Sequence, residues 1–385
     1  MIIVAFLAIL LSVIAFFPLK IFIDNRNACE TPNLCETHQT NTVKNISYTF
    51  TKTASTLVAS TILTTAAIEL TTNTSASLTY QTAALNSAND ALMLQSKVFN
   101  GIISRIIIGH NKEIFSVTVL NDQSIASGSV KEINIWDSVS GKLIRTMNAH
   151  SGKIYSLATM EDGRLVSSGR DNTLIIWDPN TGKAVQALNE HTNYVKCLTV
   201  LKGNRIVSGS NDKTIIIWDG NNGQKLNKLV GHRNWVYSLA ALKGERLASG
   251  SYDDGIIKIW NLTSGKEIKS WQGHADTVRC LLALPGNRLA SGSYDNTIII
   301  WDLGNYTRLY KLELHTQDVL ALVLLKDERM MASASEDKTI RLWDIETGRT
   351  IKRLQGHTNH VRSLAVLADG RLVSGSIDKS LIIWK

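Results

Sequence analysis

The sequence lacks the short signatures of the common catalytic sites. It has no Gly-x-Ser-x-Gly, no glycine loop of the kind that cradles a phosphate, and no histidine left over beside paired carboxylates. Nothing in it therefore points to hydrolysis or phosphoryl transfer. Cysteine is scarce, at four residues. Cys29, Cys35 and His38 stand near one another but have no fourth ligand, so no metal site is expected. The pair Cys29 and Cys35 reads instead as a disulfide closing a short loop in an oxidising compartment. Cys197 and Cys280 occupy a slot filled elsewhere by Ser116, Ser156, Ser238 or Ser363, which reads as two small buried thiols.

Charge is missing where it matters most. Met1 to Leu19 carries no charged side chain, and about 19 apolar residues suffice to cross a bilayer core of about 30 Å. Residues 1–23 are therefore read as a membrane anchor or a signal peptide. No basic stretch comes before the run, and Ala15-Phe16-Phe17 puts bulky residues where cleavage needs small ones. A retained single-pass anchor is the favoured reading, and a cleaved signal giving a secreted protein is the alternative. The side of the membrane stays open. Lys20 and Arg26 after the run favour a cytoplasmic position for the rest of the chain, whereas the cysteine pair favours the oxidising side. The sequons at Asn45, Asn73, Asn261 and Asn305 would carry glycans only in an exported protein. Residues 24–100, rich in Thr, Ser and Asn and without a sustained strand pattern, read as a stalk or linker. Residues 1 to 100 hold five basic and five acidic side chains, so the whole formal charge of +8 belongs to residues 101–385.

What those remaining residues do have is a repeat. Trp136, Trp177, Trp218, Trp260, Trp301, Trp343 and Trp384 recur at steps of 41 or 42 residues, a period that signals a propeller, solenoid or array. In one copy, Thr277 to Leu284, Arg288 to Ser293 and Thr297 to Trp301 are short apolar runs separated by Pro285-Gly286-Asn287 and Tyr294-Asp295-Asn296. They predict three strands, and a fourth follows the Trp-Asp turn. The run Ile298-Ile299-Ile300 does not alternate with polar residues, so both of its faces should be covered.

These residues resemble the WD-repeat β-propeller family over roughly 102 to 385. The resemblance implies an all-β, seven-bladed propeller of four-stranded blades, with the strand at about 102–108 completing the last one. It also implies a hydrogen-bonded tetrad in each blade, placed at His191, Ser208, Asp212 and Trp218; at His274, Ser291, Asp295 and Trp301; at His315, Ser333, Asp337 and Trp343; and at His357, Ser374, Asp378 and Trp384. Two copies depart from the pattern. The turn Ser129-Val130-Lys131-Glu132 is short and has no Asp, so His110 is expected to lose its acceptor, while Tyr252-Asp253-Asp254-Gly255 has one residue too many and offers two.

Propellers of this family commonly grip partners at the start of the first strands. Carried over by position, the surface comprises Phe115, Tyr155, Tyr194, Lys196, Arg233, Trp235, Tyr237, Tyr252, Arg279, Tyr294, His360 and Arg362. The expected function is a non-catalytic, membrane-tethered scaffold, monomeric, that presents this aromatic and basic face to a protein or an acidic peptide. The alternative is charge-driven binding of anionic lipid or nucleic acid, through basic residues such as Arg164, Arg205, Arg246, Arg288, Arg329 and Arg371 where second strands begin. Specific nucleic-acid recognition is not expected. An enzyme using the central channel is the least favoured reading, and no cofactor is expected.

Overall fold

The computed structural model describes residues 102–385. The run Met1 to Leu19, the segment 24–100 and the Cys29 and Cys35 pair lie outside the described residues. Among the described residues no helix is long and apolar enough to cross a membrane. The one helical piece there is a 3-10 turn at Lys202–Asn204, and the other regular elements are antiparallel strands.

One repeat shows how the sequence makes them. Val278–Leu284, Arg288–Ser293, Ile298–Asp302 and Thr307–Leu312 form a four-stranded meander in chain order. The chain reverses at Pro285-Gly286-Asn287 because Gly286 and Asn287 both take positive φ, 73° and 56°, a region those two residue types enter at least cost. Ile298, Ile299 and Ile300 are all buried, as a run without polar alternation requires. The outermost strand instead exposes Leu309 and buries Leu312.

The Ser-Gly-Ser of the second strand has a packing cause. A Cβ on Gly292 would stand 2.7 Å from Val319 Cγ1, and Val319 opens the first strand of the following sheet. A residue without a side chain lets the two sheets close together. At the slot shared by serine and cysteine, Ser238 Oγ donates to the Val278 carbonyl at 2.9 Å, tying one inner strand to the next. Cys197 and Cys280 lie buried at the same place, with Cys280 Sγ 3.8 Å from the Val319 carbonyl, and burial pushes both thiols up to about 12.

Five sheets have four strands and one has seven. In the seven-stranded sheet, Leu143–Thr159 is a single 17-residue strand. Its early part pairs with Val130–Trp136 and its end with Leu165–Gly169. The repeat alone predicts two strands here, parted at His150. The ladder runs on because the short turn after Ser129 brings Val130 opposite Lys153.

The inner strands pack in a closed cycle. Ser116–Val119, the end of Leu143–Thr159, Val195–Leu201, Val236–Leu242, Val278–Leu284, Val319–Leu324 and Val361–Val366 each touch the next, and the last returns to the first. At that junction Val117 N donates to Ser363 Oγ at 2.9 Å, Ile114 N to the Ser376 carbonyl at 3.1 Å, and Ala368 N to Gln123 Oε1 at 2.7 Å. Ile103–Ile108 pairs antiparallel with Ser380–Trp384 and so completes the sheet of the last repeat. Lys385 N donates to the Ile102 carbonyl at 2.9 Å, which joins the two ends of the ring.

Ile106 is buried in that seam with Ile340, Leu354 and Val361. Ile106→Asp should place an unpaired carboxylate there at a cost of about 3–5 kcal/mol, lowering the melting temperature by roughly 10 °C. An unchanged melting curve for the full chain would show that this strand does not hold the ring closed.

Candidate functional site

The repeat histidines come first because they fix the loops that carry the surface residues. His274 Nδ1 lies 2.9 Å from Asp295 Oδ2 and its Nε2 lies 2.7 Å from Ser291 Oγ, while Trp301 Nε1 donates to Ser291 Oγ at 2.8 Å. The carboxylate accepts from Nδ1–H, which leaves Nε2 to accept from the serine hydroxyl. Proton donation therefore runs in one direction from indole to carboxylate. Asp295 also accepts from Thr297 Oγ1 at 2.7 Å and from Ala275 N at 3.1 Å, so it holds the loop before the first strand.

The same chain is made at three further sets. His191 bonds Asp212 at 2.7 Å and Ser208 at 2.8 Å, His315 bonds Asp337 and Ser333 at 2.7 Å each, and His357 bonds Asp378 at 2.8 Å and Ser374 at 2.7 Å. Trp218, Trp343 and Trp384 donate to those serines at 2.9, 2.7 and 2.8 Å. A further set joins His150, Ser167, Asp171 and Trp177; the Arg170-Asp171-Asn172 turn was the signal for it in the sequence. Burial opposes ionisation of Asp295, Asp212, Asp337 and Asp171, yet the bonds from their histidines and hydroxyls hold them far below the usual carboxylate range. Asp378 is held down to about 2 by His357 and Ser380 against the same opposition.

The two irregular copies differ from expectation. His110 does not lose its acceptor, because Glu132 at the start of the third strand reaches back to Nδ1 at 3.2 Å. The longer glutamate side chain compensates for the short turn. At His232, neither Asp253 nor Asp254 serves. Asp254 accepts instead from the Ser251 hydroxyl, and His232 Nδ1 is buried with no partner among the described residues. The extra residue draws the carboxylate away, and burial, with Lys258 adding, pushes His232 down to about 3.

Above these networks, the residue after each buried apolar residue that opens an inner strand faces the mouth of the ring. Phe115, Tyr155, Lys196, Tyr237, Arg279 and Arg362 stand there, with Tyr294 and Lys153, around a cavity of about 230 Å³. Lys196 Nζ lies 3.9 Å from the centre of the Tyr155 ring and 5.2 Å from that of Tyr237. Lys153 Nζ lies 4.7 Å from the centre of Phe115. Beside the cavity, Trp235 stacks on Tyr252 at 4.6 Å and Tyr252 on Tyr237 at 5.3 Å, while Tyr194 flanks Tyr155 at 6.4 Å. Two of the residues expected at this surface stand apart. Arg233 is exposed, with no ion pair or ring contact among the described residues, and His360 pairs with Glu336 at 3.3 Å.

Sequence reasoning missed Lys153, which precedes Ile154 as Trp235 precedes Val236 and was open to the same positional rule. It also missed an acidic sector. Asp318 is pushed up to about 6 by its burial and by Glu336 and Asp276. The inner-strand position corresponding to Arg279 is there the buried Leu320.

The opposite face is differently balanced. Arg164 pairs with Asp162 at 2.6 Å, Arg205 with Glu245 at 2.9 Å, Arg288 with Glu346 at 2.6 Å, Arg329 with Asp344 at 3.0 Å and Arg371 with Asp369 at 2.7 Å. Arg246 donates to Asn287 Oδ1 at 2.8 Å. Five of these six arginines are therefore matched by carboxylates. Among the described residues no group of three or more His, Cys, Asp or Glu side chains could hold a metal ion.

Comparison with known families gives two matches. A model described as WD domain, G-beta repeat matches residues 141–178, 182–219 and 223–261, and a β-propeller model described as WDR41 matches residues 263–385. No curated protein matches the chain.

The orphan imidazole has a pH signature. With its folded pKa at about 3 and an unfolded value of about 6.5, His232 binds a proton in the unfolded chain first, so stability falls as pH drops below about 6.5 by about 1.4 kcal/mol per unit. His232→Gln should remove that part of the slope, about 2 kcal/mol between pH 6.5 and 5. Denaturant melts with the same slope for both proteins over that range would refute the assignment.

Proposed function

We propose, from the premise that this chain belongs to the WD-repeat β-propeller family, that it is a non-catalytic scaffold whose partner docks on the mouth of the ring. Dividing Leu143–Thr159 at His150 makes its sheet two blades and the propeller seven-bladed, a division supported by the closed cycle of inner strands. The partner is a protein or peptide with acidic character. The apolar run Met1 to Leu19 supports tethering of residues 101–385 to a membrane through the segment 24–100.

The observation that carries the reading is the composition of one face. Trp235, Tyr237, Tyr252, Tyr155 and Tyr194 form a half-buried array of rings, set among Lys153, Lys196 and Arg279, which have no carboxylate partner among the described residues. Such side chains concentrate interface energy, because they bury large areas at small entropic cost. Five arginines of the opposite face already have carboxylate partners, which favours the mouth over the charge-driven alternative.

Quantitative affinity capture followed by cross-linking tests this. Trp235→Ala combined with Tyr252→Ala should weaken partner capture by about 30-fold or more, the size of a hot-spot loss near 2 kcal/mol, with little change in melting temperature. Capture that survives the double variant, or cross-links that map to the Arg205 and Arg288 face, would overturn it.

A further inference from the structure

The mouth of the ring carries an excess of positive charge that the fold does not explain. Its cavity of about 230 Å³ is lined by Lys153, Lys196, Arg279 and Arg362 and by no carboxylate. The nearest acid to Arg362 is Glu336, 3.9 Å from Nη2 and outside the lining. The lysines rest on ring faces, which attract a cation without neutralising it.

Two further observations point to a missing anion. Arg279 Nε and Arg362 Nε are buried and have no acceptor among the described residues, although buried guanidinium donors are normally satisfied. Lys196 is driven down to about 7, first by its burial and then by Arg279, Arg362, Lys153 and Arg170 around it. The rings of Tyr155, Tyr194 and Tyr237 also face it, within 5.7 Å of its Nζ. A negative group in the cavity would relieve all of these at once.

We propose that the cavity is a binding site for a phosphate monoester, held by Lys196, Arg279 and Arg362, with the ester's remaining atoms leaving over the rings of Tyr237 and Trp235. The charge decides between anions. A carboxylate brings a single charge to four basic side chains, three of them fully charged, whereas a phosphate monoester brings close to two at neutral pH and three strong acceptor oxygens. Guanidinium groups also meet phosphate with paired hydrogen bonds. Size limits the ligand as well. Pockets that enclose a whole drug-sized molecule run to about 300–1,000 Å³, so this one takes the phosphate and its first ester atoms and leaves the rest outside. The ester can be carried by a side chain of the docked partner or by a small molecule. In the first case the site deepens the scaffold reading and rests on it, and in the second it stands alone.

Isothermal titration of the full chain at pH 8 tests this, using phenyl phosphate as the probe and benzoate as the singly charged comparison. Phenyl phosphate should bind at least about tenfold more tightly than benzoate and weaken as salt is added. Lys196 is largely neutral at pH 8, and a bound dianion raises its pKa. Binding should therefore take up protons, read as a heat that depends on the buffer. Lys196→Met should abolish that uptake, and it and Arg279→Met should each weaken phenyl phosphate about tenfold or more. Both variants should melt at or above the parent temperature, since each removes repulsion. A phosphothreonine peptide binding better than phenyl phosphate assigns the ester to a partner chain, and the reverse order assigns it to a small molecule. Benzoate binding as well as phenyl phosphate, or phenyl phosphate binding that neither substitution changes, overturns the proposal. Absence of phenyl phosphate and phosphopeptide binding, with partner capture through Trp235 intact, would refute the inference and leave the scaffold reading standing.

Discussion

The rest of the structure depends on a buried chain of hydrogen bonds that runs from indole to hydroxyl to imidazole to carboxylate. Each bond is worth only about 1 kcal/mol net. Its consequence is geometric, because it ties the third strand, the second strand, the turn between them and the loop ahead of the first strand to one another. The carboxylate extends the grip by accepting from the loop backbone, as Asp295 does from Ala275 N and Asp378 from Thr358 N. Those loops lead directly into the residues that face the mouth. A network that contributes modestly to stability thus positions the surface on which recognition depends.

The repeat separates what the fold needs from what it leaves free. Within this one chain, the position that opens each inner strand is Ile114, Ile154, Val195, Val236, Val278, Val319 or Val361, always aliphatic and buried. The position immediately after it is Phe115, Tyr155, Lys196, Tyr237, Arg279, Leu320 or Arg362. Seven structurally equivalent backbones accept aromatic, cationic and aliphatic side chains there, so the fold imposes no chemistry at that place. Variation among equivalent sites is where a symmetric scaffold acquires a direction, and here it yields a basic aromatic sector that adjoins an acidic one around Asp276, Asp318 and Glu336.

Much of this was legible in the sequence, and for physical reasons. The 41-residue or 42-residue step of tryptophans reports a stacking unit, and the unalternating isoleucines report coverage on both faces. The unmatched strand before His110 foretold a closure with the last repeat, where Ile103–Ile108 pairs with Ser380–Trp384. What stayed hidden depended on reach and register. A turn shortened by one residue does not reveal that Glu132 can span the gap to His110, nor that Val130 will pair with Lys153 and fuse two strands into one. Two adjacent aspartates look like a surplus of acceptors for His232, yet the backbone between them turns the useful one onto Ser251. Pairing on the Arg205 and Arg288 face was equally invisible, because Glu245 and Glu346 lie 40 and 58 residues away along the chain.

That pairing bears on what the mouth is for. Both faces are built by the same repeat and both receive basic residues at regular positions. On one face five of the six arginines that stand where second strands begin find a carboxylate. At the mouth Lys153, Lys196, Arg279 and Arg362 converge on a shared space, where burial first and the neighbouring cations second lower Lys196 and Arg362, and guanidinium nitrogens are left without acceptors among the described residues. The fold evidently permits neutralisation, since the neighbouring Leu320 and Asp318 show that the same positions accept uncharged and acidic side chains. Local agreement between sequence and structure is the rule in folded proteins, and departures from it concentrate where function imposes them. A cluster of four basic side chains drawn from several blades, with a carboxylate among the described residues near Arg362 alone, is a departure of that kind.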